Sequence, residues 1–295
     1  MLKIRIAVAS RETPGDRDRY VKLIEGLELR GFDTLWLSDT PLAPLVEPQV
    51  ALALAAGRTS KLRLGTNVVV PGHNPLLLAR SLAHLDHLSN GRLLLAFMPG
   101  LGTPDERAAL GVTGVDRLRH VARTIELCRS WWAGEAVTAE IAEFSYQAVR
   151  VDPSPVQDPL EIWLGGNGPR SLELTGTHGD GWLAARVSPA QAELSRHTID
   201  AAAATAGRSV DADHFGISIP YARTILDDAA AAETMEHTDA AREDILPFGA
   251  TELRQLIRRH TDVGLTKFVL RPMSLDDGWD VELDFLAEHA LSLQN

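Results

Sequence analysis

One cysteine, Cys128, stands alone in 295 residues. No intrachain disulfide can form, so the chain suits a reducing compartment and a cytoplasmic location is expected. Cys128 lies in the apolar helical stretch Val121–Trp132, where a buried packing role is expected in preference to a reactive thiol. Positive charge is scarce as well. Lys and Arg number 29 against 40 Asp and Glu, a net charge of −11, and no basic run occurs anywhere. That argues against a nucleic-acid partner, because phosphate binding depends on clustered cations. No apolar run approaches the ~18 residues a membrane span needs. The opening MLKIRIAVAS is short and alternating, and reads as a first strand instead of a signal peptide. There is no Gly-x-Ser-x-Gly elbow for serine hydrolysis, and no Lys-Ser/Thr pair to complete a nucleoside-triphosphate loop.

Hydrophobic residues make up 45% of the chain and charged residues 23%, ample material for a large core. Strands are expected at Leu2–Ala9, Thr34–Ser38, Leu62–Val70, Arg92–Phe97, Glu161–Leu164, Gly181–Ala184, Phe215–Ile219 and Lys267–Leu270. Helical spacing fills the intervals, at Arg17–Arg30, Val46–Arg58, Pro75–Leu88, Arg117–Trp132, Pro169–Thr177, Pro189–Ala206, Thr251–Val263 and Val281–Leu293. Such alternation implies parallel pairing, and eight repeats make a closed (β/α)8 TIM barrel the most economical topology. A doubly wound open sheet is the runner-up, but Ser10-Arg11-Glu12-Thr13-Pro14-Gly15 lacks the dinucleotide fingerprint. Two excursions are expected. Gly134–Pro159, holding Pro153, Pro155 and Pro159, precedes strand five, and Leu226–Leu246 forms an extra helix after strand seven. Neither reads as a linker, so one domain over residues 1–295 is expected.

Active sites of such barrels form where strands run into the following loops. Strand two ends at Asp39, a residue that also suits a plain turn. Gly65, inside strand three, predicts a bulge or the close approach of something flat. His73 stands at the barrel mouth just before Asn74-Pro75, a pair built to start a helix. Strand five runs into Gly165-Gly166-Asn167-Gly168-Pro169. The helix starting there aims N–H groups and a partial positive charge at a loop where a phosphate would sit, although tight turns need glycine anyway. Strand eight ends at Arg271, suited to an anionic substrate or a phosphate and equally to an ordinary surface. His84-Leu85-Asp86-His87 has metal-like spacing but no third ligand, so no metal is expected.

Several blocks follow one another in a telling order. Gly31-Phe32-Asp33-Thr34-Leu35-Trp36-Leu37-Ser38-Asp39 leads to Leu64–Pro71, Asn74–Ala79 and Leu85–Leu93; Ala109–Val112, Pro153–Gln157, Ile162–Asn167 and Gly179–Leu183 come after. As an ordered set they resemble the luciferase-like monooxygenase superfamily, and the run Asn74–Arg80 with Leu85–Arg92 looks closest to its coenzyme F420-dependent branch. The resemblance implies the luciferase-like barrel, a homodimer, and a deazaflavin, coenzyme F420, held across the strand ends. FMN is the alternative cofactor. Residues expected at the cofactor are Asp39, Thr66, Asn67, Val68, Gly100, Gly165, Gly166, Asn167 and Gly168, with Asn67–Val68 matching a bulge that often carries a non-proline cis peptide. His73 is the candidate for proton transfer and Arg271 for substrate binding. The implied activity is hydride transfer between F420 and a small organic substrate. Alternatives are an FMN-dependent monooxygenase, or a non-catalytic relative that binds coenzyme or only dimerises. The chain departs from the pattern at Ala96-Phe97-Met98-Pro99-Gly100-Leu101, where bulky Phe97 and Met98 are expected to narrow the pocket. Leu101 and Thr40 replace the acidic residue and histidine of the sugar-phosphate dehydrogenase branch, so that branch's chemistry is not implied.

Overall fold

A computed structural model describes residues 3–11, 16–100, 103–236 and 238–295. Leu2, Glu12–Gly15 and Leu101, all part of the reading above, lie outside the described residues. The elements are β1 (Arg5–Ser10), α1 (Arg17–Arg30), β2 (Thr34–Ser38), α2 (Pro48–Arg58), β3 (Arg63–Val69), α3 (Pro75–Ser89), β4 (Leu93–Met98), α4 (Pro104–Ala109), α5 (Arg117–Trp132), β5 (Val137–Ile141) and β6 (Phe144–Val149). They continue through β7 (Ile162–Gly165), α6 (Pro169–His178), β8 (Gly181–Ala185), α7 (Pro189–Thr205), β9 (Phe215–Tyr221), α8 (Asp228–Met235), α9 (Arg242–Ile245), α10 (Gly249–Asp262), β10 (Lys267–Pro272) and α11 (Gly278–His289). Eight strands close in the order β1-β10-β9-β8-β7-β4-β3-β2, every ladder parallel. The expected (β/α)8 barrel is therefore the fold. No helix of the described residues is long and apolar enough to cross a membrane.

Strand alternation decides what lies inside. Register pairs Arg5 with Lys267 and Ala7 with Val269, Ala9 with Trp36, and Trp36 with Gly65. Ala7, Ala9, Trp36, Ala96, Trp163, Leu183 and Val269 pack as a small cluster in the barrel interior, separate from the larger core between strands and helices. Two indoles fill the space that smaller residues leave. A Cβ on Gly65 would stand 2.2 Å from the Trp36 ring, and one on Gly181 2.5 Å from Trp163. The flat object expected over Gly65 is thus the chain's own tryptophan, and β3 keeps its register with both neighbours without a bulge.

The excursions differ from expectation in detail. Residues 134–159 hold an antiparallel hairpin, β5–β6, followed by the proline segment. Its Tyr146 ring meets Trp131 of α5 edge-on at 5.0 Å. After β9 two helices form, α8 and α9, not one. The metal-like motif proves structural: Asp86, fully buried, accepts the N–H groups of Val156 and Gln157 at 2.9 Å each, and His87 Nε2 lies 2.7 Å from the Ser154 carbonyl. Cys128 is fully buried, and burial pushes its thiol pKa up, as a packing residue requires.

Candidate active site

The two ends of the barrel carry different chemistry. At the N-terminal end Lys267, 2% exposed, donates to Asp33 and, at 2.6 Å, to Thr34 Oγ1. Burial brings its ammonium down to about 8 although Asp33 opposes the shift. A cavity of about 230 Å³, lined by Trp36, Trp163, Arg5, Glu161, His214 and Lys267 among others, lies at this end. Such an arrangement fastens strands together, as the bottom of a barrel commonly does.

At the C-terminal mouth, Asp39 follows β2 and His73 follows β3. The Asp39 carboxylate accepts the Val69 N–H at 3.1 Å and stands 3.6 Å from His73 Nε2. Asp39 is largely covered, whereas the His73 side chain is 37% exposed. The structure therefore brings two separately chosen candidates into one pair. A solvent-reachable imidazole backed by a carboxylate can pass a proton to or from a ligand, the carboxylate stabilising the charged ring. Asn67 stands beside them. Trp36 donates its indole N–H to Asn67 Oδ1 at 3.0 Å, which turns the amide nitrogen toward Ser38 Oγ, also at 3.0 Å.

The loop after β7 behaves as its glycines suggest. Gly166 has φ +105, where a side chain is strained, and a Cβ there would meet Ser171 Oγ at 2.8 Å. Asn167 Nδ2 ties the loop to the Ala185 carbonyl at 2.7 Å. Gly168 heads α6 without a side-chain cap, unlike α2, α3, α5 and α7. The N–H groups of Gly168 and Arg170 have no acceptor among the described residues, and nothing lies within 4 Å of a Cβ placed on Gly168. This helix start is open and polarised for an anion.

Other candidates are corrected by the two-residue strand period. Thr66 and Val68 alternate with Gly65 and Asn67, so their side chains face the surrounding helices: Thr66 is fully buried and Val68 packs in the outer core. Phe97, fully buried, does the same and narrows nothing. Met98 does narrow the interior, for its sulfur sits where a Gly165 Cβ would be, 2.2 Å away. The cis peptides among the described residues are Asp152–Pro153 and Asp158–Pro159, and Asn67–Val68 is not one of them. Gly100 serves a turn, with φ +77 and its carbonyl bound by Arg117 at 2.7 Å.

Arg271 faces inward with Val269 and Lys267, half-buried at the mouth, and has no hydrogen bond or ion pair among the described residues. Burial, with Arg11 and Arg186 nearby, lowers its pKa to about 10. Sequence reading singled out neither Arg11 nor Arg186. Arg11 was accessible from strand period, standing two residues beyond Ala9, while Arg186 owes its place to a left-handed backbone (φ 54) that no residue pattern announces.

The family model described as luciferase-like monooxygenase matches residues 1–291. The F420-dependent hydroxymycolic acid dehydrogenase of Mycobacterium tuberculosis is 32% identical over 233 residues, 74% of this chain and 62% of that protein. The limonene 1,2-monooxygenase of Rhodococcus erythropolis is 31% identical over 199 residues, covering 65% of this chain and 51% of that protein. For the 5,10-methylenetetrahydromethanopterin reductase of Archaeoglobus fulgidus the identity is 31% over 194 residues, with 65% and 56% covered. The chain thus spans about half to three-fifths of the length of these curated relatives. Among solved structures, an F420-dependent secondary alcohol dehydrogenase superposes with TM-score 0.80 at 18% identity over 100% of both chains. The Streptomyces bottropensis monooxygenase RslO1 gives 0.81 at 21% identity, over 98% of this chain and 99% of that one. At those identities the structures speak for the fold.

Proposed function

This chain belongs to the luciferase-like monooxygenase family, and from that premise we propose that it is an oxidoreductase moving a hydride between coenzyme F420 and a small organic substrate. The observation that carries the reading is the Asp39–His73 pair, assembled from two strands at the catalytic end of the barrel. The residues present fit a phosphate-bearing coenzyme. The open start of α6 and the room over Gly168 receive the phosphate, while Asp39 and Asn67 line the opposite rim. When bound, such a coenzyme supplies the carbon that carries the hydride. The protein's own share is to hold the substrate, to exclude alternatives by shape, and to move the accompanying proton at His73 Nε2. Arg271 is the substrate-side cation. The protein works as a homodimer in this reading, supported by the groove between α2 and α3, where Val50, Leu77 and Leu88 are 70%, 59% and 66% exposed.

A second reading, a relative without catalysis, draws on Met98 filling the space over Gly165. One experiment separates the alternatives. Apo-protein is titrated with oxidised F420 and, separately, with FMN, each followed by coenzyme fluorescence. Micromolar binding of F420 alone supports the proposal; binding of FMN alone indicates the monooxygenase, and binding of neither the non-catalytic relative.

A further inference from the structure

We infer that Arg271, Arg186 and Arg11 form a site for an oxyanion carried by the substrate, so that the substrate is a phosphorylated or carboxylated compound. This rests on the reading of the mouth as the catalytic end and names the substrate class that end takes.

The argument begins with missing partners. The chain has an excess of carboxylates, and its other partly buried arginines find acceptors within the chain: Arg129 meets Asp180 at 2.7 Å, Arg223 meets Glu282 at 2.9 Å, Arg242 meets Glu252 at 2.8 Å, and Arg117 meets the Gly100 carbonyl at 2.7 Å. Among the described residues half-buried Arg271 has no hydrogen bond or ion pair; exposed Arg11 has none either, and exposed Arg186 reaches only the Glu236 carbonyl at 3.4 Å. A half-buried guanidinium without an acceptor is costly, and gathering like charges around it adds to the cost. The effect is visible on Arg271, which burial and then Arg11 and Arg186 hold well below the ordinary arginine range.

Strand geometry explains why the three converge. Arg271 continues the inward series Lys267, Val269 on β10, and Arg11 continues the inward series Arg5, Ala7, Ala9 on the adjoining β1. Arg186 leaves β8 in a left-handed conformation that an arginine adopts only against strain. Between them the wall is made of small or apolar inward residues, Ala185, Ser218, Pro220 and Ala9, so it offers room and no negative charge. The carboxylate at the mouth, Asp39, stands on the β2–β3 side and repels an anion from there. Guanidinium forks bind phosphoryl and carboxylate oxygens in pairs, so an anionic substrate lies with its charged end on the β8–β10–β1 wall. Its reacting end then points toward His73.

Binding of sodium pyrophosphate to apo-protein, read by isothermal calorimetry at fixed ionic strength, tests the site without relying on any coenzyme. Wild type should bind saturably, Arg271→Met should bind at least tenfold more weakly, and Arg271→Lys should fall between. If Arg271→Met does not fold, Arg186→Gln at the exposed edge should show the same loss in smaller measure. Equal binding by wild type and these variants overturns the site. A second titration, in protein saturated with F420, identifies the source of the anion. Undiminished pyrophosphate binding supports the substrate assignment, whereas competition shows that the arginines hold the coenzyme's own anionic groups and overturns it. If F420 does not bind, the pyrophosphate arm still decides whether the oxyanion site exists, and the coenzyme proposal alone fails.

Discussion

Lys267 and Arg271 lie four residues apart on β10, both turned into the barrel, and the molecule treats them differently. Lys267 is sealed beside Asp33 and Thr34, both of which accept from its ammonium. Arg271, nearer the loops, has no partner among the described residues. One strand thus shows a contrast between the two ends of the barrel: the cation at the base holds strands together, while Arg271 at the mouth meets no acceptor among the described residues.

Breaking the base should have the largest effect. Asp33→Ala leaves a buried ammonium unpaired, and losses of this type run about 3–5 kcal/mol. Urea denaturation should show it as a lower midpoint, with coenzyme affinity of the folded fraction unchanged. A loss of affinity without a loss of stability would mean the two ends are not separate.

His260 sharpens the comparison, being an orphan away from the mouth. It is fully buried on α10, neither ring nitrogen has a partner among the described residues, and burial pushes its pKa down to about 4. As pH falls from 6.5 toward 4, the unfolded chain takes up a proton that the folded chain refuses, so stability falls across that window. The full effect is roughly 3 kcal/mol at 1.36 kcal/mol per unit. His260→Leu should remove this slope; an unchanged pH dependence would show that another group causes it.

At the mouth the effects should appear in binding. Gly168→Val fits the backbone, since φ is −73 and the space is open. It should weaken F420 roughly thirtyfold, about 2 kcal/mol, while barely changing affinity for the phosphate-free deazaflavin. Equal losses for both would mean that the loop only turns the chain. Gly166 is a poorer probe, because any side chain there is strained before a ligand arrives.

The same contrast explains what could be read from the sequence. All eight barrel strands were legible because each is a short, mostly apolar run between helical patterns, and hydrophobic period is a local property. The β5–β6 hairpin was not, because its two short strands lie inside one long connection, and α4 was not, being a short helix soon after Pro99 and Gly100. Asp39 and His73 could be chosen singly from their places after strands, but their meeting is a matter of neighbouring strand ends. Thr66 and Val68 were chosen as part of a motif, which ignores that alternate residues face opposite ways. The isolation of Arg271 was illegible in principle, because it consists of acceptors that the described residues fold without placing beside it.

The coenzyme affinity of Asp39→Ala, measured beside its melting temperature, tests the central claim most directly. The account predicts that wild-type apo-protein binds F420 at micromolar concentration and that the variant binds about tenfold more weakly, about 1.4 kcal/mol, with melting nearly unchanged. A variant that melts much earlier yet binds F420 as wild type does would contradict it, making Asp39 a turn residue and the mouth a second structural end.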